Sequence, residues 1–129
     1  MAPSKDIKIL VVEDNEKIRK LLCNLLKNIG YNSVAEAQNG KAAWDKLHAY
    51  NYDLVLTDWQ MPVMDGIELL KLIRKDAHLK ELPVMMITAS DSQESIVEAA
   101  KNRVNGYIVK PFSVKTIVEK IDQVFASLE

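Results

Sequence analysis

Five polar side chains stand where apolar runs stop. Glu13 and Asp14 follow Ile9-Leu10-Val11-Val12, Asp58 follows Leu54-Val55-Leu56-Thr57, Thr88 closes Val84-Met85-Met86-Ile87, and Lys110 follows Tyr107-Ile108-Val109. Short apolar runs bounded by turn residues read as buried strands, so each of these groups sits at the carboxyl end of its own strand. In open α/β sheets that is the end where ligand and catalytic groups gather. Two like unit charges about 4 Å apart repel by roughly 4 kcal/mol at an effective dielectric of 20, so three converging carboxylates call for a cation. Because the candidate ligands are all oxygens, a hard ion is implied, and Mg²⁺ keeping several waters fits best. A carboxylate nucleophile beside one cation, one hydroxyl and one ammonium suits phosphoryl transfer, in which catalysis is mainly positioning and charge neutralisation. Asp58 is the expected nucleophile, with Lys110 and Thr88 on the phosphoryl oxygens.

The elements that must hold these groups alternate strictly. After the strand Ile7–Val12, apolar residues at Ile18, Leu21, Leu22, Leu25, Leu26 and Ile29 make the stripe of an amphipathic helix that Gly30 closes, and Cys23 falls outside that stripe as a partly exposed thiol. Ser33–Ala37 is a half-polar strand suited to a sheet edge, and Asn39-Gly40 turns into a helix through Ala43, Leu47 and Tyr50. The strand ending at Asp58 passes through Met61-Pro62 and Asp65-Gly66 into a helix, which Asp65 caps. Pro83–Ser90 is a fourth strand. Asp91 and Glu94 resemble a helix start leading through Ile96, Val97 and Ala100. Gly106–Val109 is the fifth strand, and Ser113 caps a last helix with Val114, Ile117, Val118, Ile121, Val124, Phe125 and Leu128 on its apolar stripe.

Five strands alternating with five helices predict an α/β, flavodoxin-like, doubly wound (βα)5 fold with helices on both faces. Its parallel strand order 2-1-3-4-5 places strands 1 and 3 side by side, with a crevice at their carboxyl ends. At about 4.8 Å between strands, the three acids would meet there.

The chain of 129 residues suits one domain over 1–129, with residues 1–6 as a flexible N-terminal extension. A net charge of −1 gives no general attraction to nucleic acid or anionic membrane, and no stretch is long enough to span a bilayer. One cysteine and a polar N-terminus point to a reducing, cytoplasmic setting. His48 and His78 lack a partner acid in the sequence pattern and read as surface histidines. Lys71, Arg74, Lys75 and Lys80 read as a solvated face. A nucleotide-binding fold would want a glycine-rich loop after strand 1, where Glu13-Asp14-Asn15 is acidic instead. A haloacid-dehalogenase-type phosphatase would need a second Asp where Gln60 stands.

Glu13-Asp14, Thr57-Asp58-Trp59-Gln60-Met61-Pro62-Val63-Met64-Asp65-Gly66, Thr88-Ala89 and Gly106-Tyr107-Ile108-Val109-Lys110-Pro111-Phe112 together resemble the bacterial response-regulator receiver domain over nearly the whole chain. Within that family the pattern is most similar to the stand-alone chemotaxis regulators. The resemblance implies a signalling switch that catalyses only its own phosphorylation and dephosphorylation. A sensor histidine kinase would phosphorylate Asp58, with Mg²⁺ held by Asp14, Asp58 and the Gln60 backbone carbonyl, and with Glu13 acting through water. It further implies that Thr88 and Tyr107 form the switch, that the surface of helix 4, strand 5 and helix 5 changes its affinity for an output protein such as the flagellar motor switch, and that Lys110-Pro111 is a cis peptide. A phosphatase, a monomeric state and the absence of nucleic-acid or membrane partners belong to the same expectation. The alternative is a stand-alone receiver in a phosphorelay or one controlling a non-flagellar effector. Two departures stand out: Glu13 replaces the Asp usual in chemotaxis proteins, and Arg103 stands where a glycine usually follows helix 4.

Overall fold

A computed structural model describes residues 3–128. Its elements run β1 (Lys8–Val12), α1 (Glu16–Ile29), β2 (Ser33–Ala37), α2 (Gly40–Ala49), β3 (Leu54–Thr57), α3 (Gly66–Lys75), β4 (Val84–Thr88), α4 (Gln93–Lys101), β5 (Gly106–Val109) and α5 (Val114–Ser127). All neighbouring strands are parallel, in the order β2-β1-β3-β4-β5. The five-stranded, helix-covered architecture read from the sequence is therefore the one observed.

Successive strand residues point to opposite faces, and the core divides accordingly. Ile9, Val11, Leu54, Leu56, Met85 and Ile87 pack with Leu22, Leu26, Ile117 and Ile121 of α1 and α5. Leu10, Val12, Val55, Val84 and Met86 pack on the other face with Ala43, Leu47, Leu69, Leu70 and Ile73 of α2 and α3. Every residue of β3 and β4 is buried, as central strands covered on both faces must be. β2 is the half-polar edge strand that its composition predicts.

The helix starts are set by side-chain caps. Asn15, Asn39, Asp65, Ser92 and Ser113 each accept a backbone N–H three residues on, and Asp65 forms a reciprocal capping box with Glu68. Ser92, not Asp91, starts α4. Of the Ser4–Asp6 segment, Asp6 N donates to Ser4 Oγ at 3.1 Å and Lys5 Nζ lies 4.3 Å from the Tyr31 ring centroid. Met1 and Ala2 of the expected extension lie outside the described residues.

Several side chains sit differently from the sequence reading. Cys23 is buried at 2% exposure while Leu21 is 56% exposed. Ile18, Leu22, Leu25, Leu26 and Ile29 of the predicted stripe do pack against the core, and the covered arc takes in Arg19 and Cys23 in place of Leu21. On α4 only Ala99 is buried, leaving Ile96, Val97 and Ala100 outside. Tyr50 lies past the end of α2 and is exposed. His48 does have an acid: its Nδ1 lies 2.8 Å from Trp44 O and its Nε2 3.2 Å from Asp76 Oδ2.

Arg74 is no solvated charge. Its guanidinium donates to the carbonyls of Arg103, Lys80 and Leu82 and to Asn105 Oδ1. That clamp grips the turn after α4, where Arg103 itself takes the left-handed conformation (φ 61°) that a glycine would adopt without strain.

Candidate functional site

Strand register builds the site. Val12 pairs with Thr57, so the residues that follow, Glu13 and Asp58, leave the sheet side by side. Asp58 N donates to Val12 O at 3.0 Å, Glu13 N to Ala37 O at 3.1 Å and Lys110 N to Thr88 O at 2.8 Å, which extends the ladder to the rim. At that rim Glu13, Asp14 and Asp58 offer carboxylate oxygens all within 4.8 Å of one another. Lys110 Nζ bridges two of the acids, 3.0 Å from Glu13 Oε1 and 3.1 Å from Asp58 Oδ2. The other Asp58 oxygen accepts the Trp59 N–H at 2.7 Å, and Glu13 Oε2 accepts the Asn15 N–H at 3.2 Å.

Burial and charge act together here. Loss of water pushes the Glu13 carboxyl above its ordinary value, against the opposing pull of Lys110. For Lys110 burial alone would favour the neutral amine, but the bonds to Glu13 and Asp58 outweigh it and hold the group as an ammonium. Thr88 is buried at the end of β4, and its Oγ1 accepts the Ser90 N–H at 3.3 Å. Gln60 lies in the exposed loop two residues beyond Asp58. Tyr107 is half-buried, and its hydroxyl donates to the carbonyl of Ser90 at 2.8 Å. The three acids and Lys110 thus come into direct contact range, while Tyr107 joins the rim through the loop after Thr88. The Lys110-Pro111 peptide is cis.

Three supporting residues escape the sequence reading. Arg19 donates from Nη1 to Glu13 O at 2.9 Å and from Nε to Glu36 Oε1 at 3.0 Å, tying α1 and β2 to the acid turn. A cation one turn past Asn15, on the covered face of α1, is the signal that could have found it. A Cβ at Gly66 would lie 2.1 Å from the Asp58 carbonyl oxygen, so only glycine lets α3 begin against the acid-bearing turn. Gly40 opens α2 with its N–H on Met64 O at 2.9 Å, where a Cβ would stand 2.6 Å from that same oxygen. Both glycines were visible only as turn residues.

A family model described as the response regulator receiver domain matches residues 9–122. The chain belongs to the response regulator receiver domain family. It is 50% identical over 125 residues to chemotaxis protein CheY-3 of Vibrio cholerae, covering 97% of this chain and 96% of that protein. To chemotaxis protein CheY of Pseudomonas aeruginosa it is 46% identical over 119 residues, 92% of this chain and 96% of the other. Among solved structures, Vibrio cholerae chemotaxis protein CheY4 superposes with a TM-score of 0.86 at 32% identity, covering 92% of this chain and 98% of that one. This receiver is therefore CheY-like along nearly its whole described length. No helix among the described residues is long and apolar enough to cross a membrane.

Proposed function

We propose that this receiver accepts a phosphoryl group on Asp58 from a sensor histidine kinase and that the modified form signals to an output protein in chemotaxis, the flagellar motor switch being the expected partner. The observation that supports this most directly is the convergence of three carboxylates and Lys110 at one rim. An all-oxygen acid cluster of this kind fits Mg²⁺, with Asp14, Asp58 and the Gln60 carbonyl as the residues that would hold it and Glu13 adding negative charge behind them. When bound, the ion would neutralise the carboxylates and the equatorial phosphoryl oxygens.

The chain's own groups do the rest. The Trp59 N–H holds Asp58 Oδ1, leaving Oδ2 to attack phosphorus. The new O–P bond forms as the donor's P–N bond breaks, and the freed imidazole nitrogen keeps the electron pair. Lys110, held as an ammonium, meets charge on the transferring oxygens. Thr88 contributes its hydroxyl at the neighbouring strand end and moves toward the phosphoryl group. Tyr107, which packs on the core with its hydroxyl on the Ser90 carbonyl, turns inward into the space that Thr88 vacates, and the surface of α4, β5 and α5 shifts with it. In thermodynamic terms the phosphoryl group binds one of two conformers better, and a partner preferring that conformer is linked to it.

Incubation with acetyl phosphate and Mg²⁺, read by intact mass, tests the proposal. One added phosphoryl group is expected, dependent on Mg²⁺ and absent from Asp58→Asn. An adduct that persists in that variant would move the acceptor elsewhere.

A further inference from the structure

Asp14 is the solvent-exposed member of the acid cluster, so the direction of its carboxylate depends on the backbone to either side of it. One residue grips both sides. Arg19 Nη1 donates to the Glu13 carbonyl at 2.9 Å, and the Arg19 backbone N–H donates to the Asn15 carbonyl, also at 2.9 Å. The Glu13 N–H is fixed in turn on the Ala37 carbonyl at 3.1 Å. The guanidinium is itself aimed: the Arg19 side chain is 14% exposed, and its Nε lies 3.0 Å from Glu36 Oε1 on β2. A planar fork of donors meets a carbonyl and a carboxylate at once, which a single ammonium on a flexible stem does far less rigidly.

The charge of Arg19 and its geometry pull in opposite senses. A fixed cation near a site for a divalent ion repels that ion, so electrostatics alone would let the ion bind better without Arg19. What the guanidinium supplies is a tethered acid turn. Without the bond to the Glu13 carbonyl, Asp14 loses an anchor one residue away and with it a fixed direction toward Asp58.

We propose that Arg19, oriented by Glu36, is a positioning residue for the divalent-ion site, aiming the Asp14 carboxylate through the Glu13 carbonyl without touching the ion. The inference rests on the magnesium reading of the acid cluster and extends it to two residues outside that cluster.

Titration of ¹⁵N-labelled protein with Mg²⁺, read at the amides of Asp58 and Trp59, tests it. Arg19→Met is expected to weaken binding by about tenfold although it removes a repelling charge. Arg19→Lys keeps the charge and loses the fork, and its affinity is expected to fall between those of Arg19→Met and the wild type. Glu36→Ala is expected to weaken binding in the wild-type background and to add little in Arg19→Met, because Glu36 acts through the guanidinium. Unchanged or tighter binding in Arg19→Met, wild-type affinity in Arg19→Lys, or an equal loss from Glu36→Ala in both backgrounds would each overturn the role. The metal-free wild type supplies a check that no variant's folding can spoil: order parameters near 0.85 are expected for the Asp14 and Asn15 amides, and values below about 0.6 would refute a tethered turn. A wild type that binds no Mg²⁺ takes down the magnesium reading itself, whereas wild-type binding that is indifferent to Arg19 removes only the role given to that residue.

Discussion

Val63 holds φ at 72° with a β-branched side chain that is 79% exposed, so it carries backbone strain without compensating burial. The Met64 N–H on Pro62 O at 2.8 Å makes Val63 the centre of a γ-turn with positive φ, a strained conformation that glycine adopts without steric cost. Val63→Gly is therefore expected to stabilise the protein by about 0.5–1 kcal/mol in urea unfolding, the strain of roughly 1–3 kcal/mol being offset in part by the entropy of glycine in the unfolded chain. No gain would mean that the turn relaxes in solution. Strain of this sort leaves no mark at Val63, which looks like an ordinary loop residue, whereas Arg103 stood out because a glycine is usual at its position. The chemical groups were legible for the opposite reason: Glu13, Asp14, Asp58 and Lys110 each interrupt an apolar run, and Thr88 closes one, which makes them conspicuous before any fold is known.

Among the elements, the contacts that lock one to the next were the hardest to foresee. Arg74 on α3 reaches carbonyls from the segment before β4 and from the turn after α4, and burial pulls its guanidinium below its usual value without bringing it near neutrality. Arg74→Met keeps the apolar stem and strands those carbonyls, with an expected loss of about 2–4 kcal/mol in denaturant unfolding. A change below about 0.5 kcal/mol would show that water replaces the clamp. The tie between α1 and β2 behaves differently because it depends on pH. The bond from Lys20 pulls the Glu36 carboxyl below 4.5 despite partial burial, and Arg19 adds to the effect. A depressed acid stabilises the fold above its unfolded value and loses that contribution as pH falls through the folded one. The stability gap between wild type and Glu36→Gln is thus expected to be full at neutral pH and to close below pH 4.5, followed by thermal melts across an acid series. A gap independent of pH would remove the ion pair from the account. Element type and order were readable from periodicity. Which arc of a helix is covered was not, because Leu21 and Cys23 both fit a helical stripe and only the packing against β1 and β2 selects between them.

For the whole molecule, an ion held by the acid cluster would couple folding to a ligand. Anything that binds only the folded state stabilises it by RT ln(1 + [L]/Kd), about 2.7 kcal/mol at a hundredfold excess over Kd. Urea unfolding with and without saturating Mg²⁺ is expected to show a gain of that order in the wild type and little or none in Asp14→Asn. Equal gains in both proteins would place the ion away from the strand ends. The site itself exists only because β1 and β3 are neighbours in space while α1, β2 and α2 separate them in the chain. A cut in the connection between α2 and β3 would leave Glu13 and Asp14 on one fragment and Asp58, Thr88 and Lys110 on the other. Neither half could be labelled alone, and recovery of labelling on mixing would report their reassembly, which makes this loop a natural place to split the protein into a two-piece proximity sensor.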